Sequence, residues 1–260
     1  DAHLDDNSCV YPDNGNYALS FNGIDDFVSV EYFDLLSNQN DVTNDFTLDI
    51  LFKKSISINE FDGMNVISFG SGISDGKRLS LFIDLGNRLR IPLQNNDWET
   101  NYIISDNQWT NITLTYQKVD GLLKVFHNGM LIDQISEFFI SVDNNFPMMV
   151  GKNTQNRDDE FFHGEIDYVS IWNYKFSDEE VLELSGQSID LFNPQLKGYF
   201  KFNSGEGDIL YDHSGNQNHG TIFGGNWVIR NTPPSDFEIL SPDNNLTLQI
   251  DATNLDEEIE

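Results

Sequence analysis

The side chains with the clearest chemical potential lie in Asn22-Gly23-Ile24-Asp25-Asp26, where five residues carry two carboxylates and one amide. A calcium ion takes six to eight oxygens from carboxylates, amides, carbonyls and water. Gly23 lets backbone carbonyls turn toward such an ion. Asn22, Gly23, Asp25 and Asp26 are therefore candidate metal ligands. The same residues also suit a plain turn, because Asn and Asp side chains accept hydrogen bonds from their own backbone. A second oxygen-rich stretch, residues 212–220 (DHSGNQNHG), admits the same two readings. His213 and His219 have no Cys or third His near them in sequence, which argues against zinc.

Sugar binding calls for an aromatic plane beside groups that hold hydroxyls. Residues 94–102 (QNNDWETNY) are polar, show no strand pattern, and contain Trp98 and Tyr102. These two are candidate ligand-binding residues, together with Asn153 and Arg157 in the loop that follows Gly151. Trp109, Trp172 and Trp227 read as core anchors. Catalysis has weak support. Glu165-Ile166-Asp167 is a superficial echo of the paired carboxylates of retaining glycosidases, with no third acid. No Gly-x-Ser-x-Gly elbow, phosphate loop or His-Glu-x-x-His helix occurs. The expectation is a protein that is not an enzyme.

The elements that must position these groups are short strands. Phe46, Leu48, Ile50 and Phe52 alternate onto one face, as a half-buried strand requires. Similar runs begin at Tyr17, Phe27, Asn65, Arg78, Arg88, Asn111, Leu123, Met148 and Ile166. Gly, Asn and Asp clusters separate them, and His127-Asn128-Gly129-Met130 is the strongest hairpin signal. One segment reads as a helix, capped by Ser177 with Glu180 three residues on and ended by Gly186. The expected fold is all-β: a two-sheet antiparallel β-sandwich of the jelly-roll kind with one short helix.

The chain has 260 residues, 20 of them Phe and 4 Met, enough apolar material for one sizeable core. Its net charge of −29 repels nucleic acid and anionic lipid and attracts divalent cations. No apolar run approaches the roughly 20 residues that span a bilayer, so no membrane insertion is expected. Cys9 is the lone cysteine. Residues 1–13 read as a tail, residues 14–230 as the sandwich, and 231–260 as a linker and the start of a further β-domain. The whole reads as a piece of a larger multidomain chain.

Four motifs resemble the laminin G-like jelly rolls of the laminin G/pentraxin/concanavalin superfamily. They are residues 17–28 (YALSFNGIDDFV), 109–116 (WTNITLTY), 125–132 (VFHNGMLI) and 162–173 (FHGEIDYVSIWN), the last followed by Phe176-Ser177-Asp178-Glu179-Glu180-Val181. They cover residues 16–185 in the family's order. Residues 198–227 resemble a segment that accompanies such domains in bacterial surface proteins, which implies strands that pair back onto the same sandwich. Residues 1–12 resemble the end of a Cys-containing repeat of large marine bacterial exoproteins. The resemblance implies that Asp167 runs beside the 22–26 loop and completes a calcium site with Asp26. It also implies an extracellular or cell-surface recognition or adhesion module, stabilised by calcium, with a glycan as its partner. The rival expectation is an architectural spacer.

Overall fold

The computed structural model describes residues 11–31, 44–56, 63–70, 77–93, 96–142, 146–154, 160–184 and 189–230. A compact unit ends at Arg230. Numbered along the chain, the first sheet holds β1 (Tyr17–Asn22), β3 (Phe46–Lys54), β8 (Trp109–Gln117), β9 (Leu122–His127), β10 (Met130–Ile135), β12 (His163–Trp172), β13 (Leu196–Phe200) and β16 (Asn226–Ile229). The second holds β2 (Phe27–Val30), β4 (Met64–Gly70), β5 (Arg78–Ile83), β6 (Arg88–Ile91), β7 (Trp98–Ile103), β11 (Met148–Val150), β14 (Ile209–Leu210) and β15 (Gly220–Phe223). All described pairings are antiparallel. The two sheets form the expected sandwich.

The apolar alternation sets the core. In the first sheet Phe46, Leu48, Ile50 and Phe52 lie opposite Tyr116, Leu114, Ile112 and Thr110 of β8, and all four apolar residues of β3 are buried. In the second, Val28, Val150, Ile67 and Leu81 face each other in register across four strands and are buried. Side chains from both inner faces make one continuous core.

The order β10-β9-β8-β3-β12-β1-β16 puts β12 between β3 and β1, and β13 pairs with the second half of β12. The order β14-β15-β2-β11-β4-β5-β6-β7 completes the other sheet. The C-terminal strands thus join both sheets, β13 and β16 in one and β15 against β2 in the other. The hairpin at His127–Met130 turns through Asn128 (φ 48°) and Gly129 (φ 78°), the positive angles of a tight primed turn. The helix α1 (Asp178–Leu184) has its capping box: Ser177 Oγ accepts the Glu180 N–H at 3.2 Å, and Glu180 Oε2 accepts the Ser177 N–H at 2.7 Å. Gly186 lies outside the described residues.

One expectation fails at the element level. Residues 98–103 are a strand, not an irregular polar stretch. Trp98, Thr100 and Tyr102 alternate with Glu99 and Asn101, so polar outer positions and a threonine inside disguise the period of two.

Candidate functional site

The 22–26 loop is built around its own amides. Asn22 Oδ1 accepts the backbone N–H groups of Ile24, Asp25 and Asp26 at 2.8, 3.1 and 3.3 Å. Asp26 Oδ2 accepts the Asn22 N–H at 2.9 Å, and Asp25 Oδ1 accepts from Asn22 Nδ2 at 2.7 Å. Gly23 supplies the positive φ of 73° that closes the turn. Asp26 is buried with its Oδ1 against Gly224, where a Cβ would stand 2.0 Å from that oxygen. Only glycine lets the chain before β16 pass so close to the carboxylate.

Asp167 is elsewhere. Asn22 pairs with His163 and Leu19 with Ile166, so Asp167 lies one residue past Ile166. That places it four residues along β12 from the loop, about 13 Å at strand rise. A β-bulge between Ile166 and Tyr168 re-aims it, and Asp167 Oδ2 accepts from Arg230 Nη1 at 3.1 Å. Burial raises its pKa to about 6, against the lowering pull of Arg230. The expected ligand set of Asn22, Gly23, Asp25, Asp26 and Asp167 is therefore not assembled: Asn22 Oδ1, Asp25 Oδ1 and Asp26 Oδ2 face N–H donors, and the fifth residue is paired to a guanidinium. Among the described residues no three His, Cys, Asp or Glu side chains group as a metal would need. These residues do not fit a shared calcium ion.

The 212–220 loop is likewise self-organised. Asp212 is fully buried; its Oδ1 accepts from the Tyr199 and Ser214 amides and its Oδ2 from the Asn218 amide, at 2.9–3.0 Å. Glu165 and Asp167 do not act as a free pair either, since Lys53 Nζ lies 2.7 Å from Glu165 and Arg230 holds Asp167.

The aromatic candidates turn inward. Trp98 is only 9% exposed, belongs to the core and meets Phe138 edge-on at 6.2 Å. Tyr102 packs against the core and the His127 ring, 4.9 Å away. Both lie on the inner face of β7, Trp98 buried in the core and Tyr102 half-buried against it. Arg157 lies outside the described residues. Asn153 is buried, and its Nδ2 donates to Glu160 Oε2.

That contact leads to a site the sequence did not single out. On the outer face of the second sheet, Asn65, Phe82, Arg90 and Glu99 lie side by side in register on β4, β5, β6 and β7. A cavity of about 110 Å³ opens there, lined by Asn65, Arg78, Phe82, Arg90, Asp97 and Glu160. Glu160 anchors it: its carboxylate accepts from Asn65 Nδ2 at 2.6 Å and from Asn153, and its carbonyl accepts the Asn65 N–H at 3.0 Å. Arg90 reaches Glu99 at 3.2 Å and Asp97 at 3.6 Å and lies over the Phe82 ring at 5.9 Å. Asn65 Oδ1 and Arg90 Nε are buried polar atoms here without a hydrogen-bond partner. Beside this row Ser29, Met149, Ser68 and Ser80 form a second outward row in register, polar but for one methionine. Strand assignment alone could not reveal the cavity, because each residue reads as an ordinary outward position.

No curated protein matches this sequence. Among solved structures, a Bacteroides ovatus protein proposed to bind carbohydrate aligns over 84% of this chain and 61% of its own, at 17% identity and a TM-score of 0.66. This chain thus spans about 61% of that protein's length. The heptameric SAP-like pentraxin of Limulus polyphemus aligns over 69% of this chain and 84% of its own, at 14% identity and a TM-score of 0.50. At such identities the likeness is one of fold. The laminin G-like family model, described as the concanavalin A-like lectin/glucanases superfamily, matches residues 25–182, more than half of the chain, and the chain belongs to that family.

Proposed function

We propose that this domain is a carbohydrate-binding module whose site is the cavity on the outer face of β4–β7. The observation that carries the reading is a set of hydrogen-bonding side chains fixed on a rigid sheet, with buried donor and acceptor capacity left over at Asn65 and Arg90. Buried polar groups are ordinarily satisfied, so leftover capacity in a cavity marks a place for a polar ligand. The fold resemblance to carbohydrate-binding proteins supports the ligand class. The proposed role is binding without chemistry, since Glu165 and Asp167 are each held by a cation. An extracellular recognition or adhesion setting belongs to the same proposal and rests on the resemblance of residues 198–227 to segments of bacterial surface proteins.

A glycan array followed by calorimetric titration tests it. The expected result is at least one bound glycan family, with affinity falling tenfold or more in Arg90→Ala while the melting temperature stays within a few degrees. Binding indifferent to Arg90 would overturn the site, and no glycan bound would overturn the reading and leave the domain a spacer.

A further inference from the structure

We infer that the cavity takes an uncharged sugar, recognised through its hydroxyls, and discriminates against uronate, sialyl and sulfated glycans. This rests on the carbohydrate reading above and specifies its ligand.

Asn65 is 1% exposed and its Oδ1, an acceptor, has no partner; Arg90 Nε–H, a donor, has none either. The two residues flank Phe82 in register, so their backbones stand two strand spacings apart, about 10 Å. Their side chains converge on one cavity. A sugar hydroxyl both donates and accepts, so neighbouring hydroxyls on one ring can satisfy Asn65 Oδ1 and Arg90 Nε together. A carboxylate or sulfate only accepts. Set against both atoms, it would suit Arg90 and leave the buried Asn65 carbonyl facing another oxygen, a desolvation loss without a bond that a hydroxyl in the same place avoids.

Arg78 and Arg90 are matched in the lining by Asp97 and Glu160, so the cavity has no net positive charge to hold an anion. Arg90 is further drawn to Glu99 at the margin, which Arg88 also reaches at 3.2 Å. Around this neutral lining the molecule carries −29, a field that repels anionic glycans before they arrive. Arg90 held by Asp97 and Glu160 held by Asn65 and Asn153 present fixed donors and acceptors without net attraction for charge.

The experiment uses the domain as it stands and matched ligand pairs that differ in one group: gluco- against glucurono-oligosaccharides, galacto- against galacturono-oligosaccharides, and lactose against sialyllactose. Titrations run at 20 mM and 500 mM NaCl, on the wild type and on Arg90→Gln. The expected result is at least tenfold preference for the neutral member, an affinity changing less than twofold with salt, and weaker binding in Arg90→Gln with the same preference. Preference for the charged member, or an affinity falling steeply with salt, would overturn this inference while the loss in Arg90→Gln still upheld the site. Binding indifferent to Arg90, or no binding by any member, would overturn both.

Discussion

Asp167, buried, and His213, half-buried, are titratable groups with opposite effects on stability. Burial raises Asp167 from 3.8 to about 6, with Arg230 pulling the other way. The folded state therefore binds a proton more readily than the unfolded one. Its stability rises as pH falls through 6 and the gain is complete below about 3.8. Burial lowers His213 from 6.5 to about 4, helped by the Lys201 charge. Here the unfolded state binds the proton first, so stability falls as pH drops from 6.5 through 4. The two windows nearly coincide, and the contributions oppose each other. Each contribution is worth at most about 3 kcal/mol, less for the partly exposed His213. Subtracting the wild-type profile of unfolding free energy isolates each group. Asp167→Asn should lose stability relative to wild type between pH 7 and 4.5. His213→Phe, which keeps a ring against Tyr11 and Tyr199, should gain it. Parallel profiles for all three proteins would show that neither group is perturbed as described.

At the scale of elements, β7 divides the molecule's two tasks between its faces. Trp98 and Tyr102 point into the core, while Glu99 points outward beside Arg90. Replacing Trp98 by Phe should therefore cost roughly 1–3 kcal/mol of unfolding free energy through lost packing against Phe138. Glycan affinity of the folded protein should stay unchanged in titration; a tenfold loss would mean that the indole reaches ligand after all. Much of this architecture was legible in the sequence. The alternation of Phe46 to Phe52, the Asn128-Gly129 turn and the Ser177/Glu180 box each announce their element, because local chemistry decides them. The strand of Trp98 was hidden because only two of its inward residues are aromatic and the third is Thr100. The partner of Asp167 was hidden because a bulge, which no period of two reveals, sets its aim. The cavity was hidden for a related reason: Asn65, Phe82 and Arg90 become neighbours through register between strands that are separate in sequence.

At the scale of the whole molecule, 43 acidic residues against 14 basic ones make self-repulsion a standing cost of the compact state. Screening relieves it. The Debye length falls from about 30 Å at 0.01 M salt to about 10 Å at 0.1 M and 3 Å at 1 M. The melting temperature should accordingly climb with NaCl from 10 mM and level off near 0.5 M. Divalent cations should act in the same way and more strongly at equal concentration, because each neutralises two charges. The decisive comparison is calcium against magnesium at matched ionic strength. In the 22–26 loop Asn22 Oδ1 and Asp26 Oδ2 serve backbone amides, and Asp167 serves Arg230, so this loop offers calcium no ready cage. The two melting curves should then coincide within about a degree, and chelator at constant ionic strength should leave the transition in place. A calcium-selective rise of several degrees at sub-millimolar metal would mean that the loop exchanges its amide bonds for metal bonds. Abolition of that rise by Asp26→Ala would assign the site to the acidic loop.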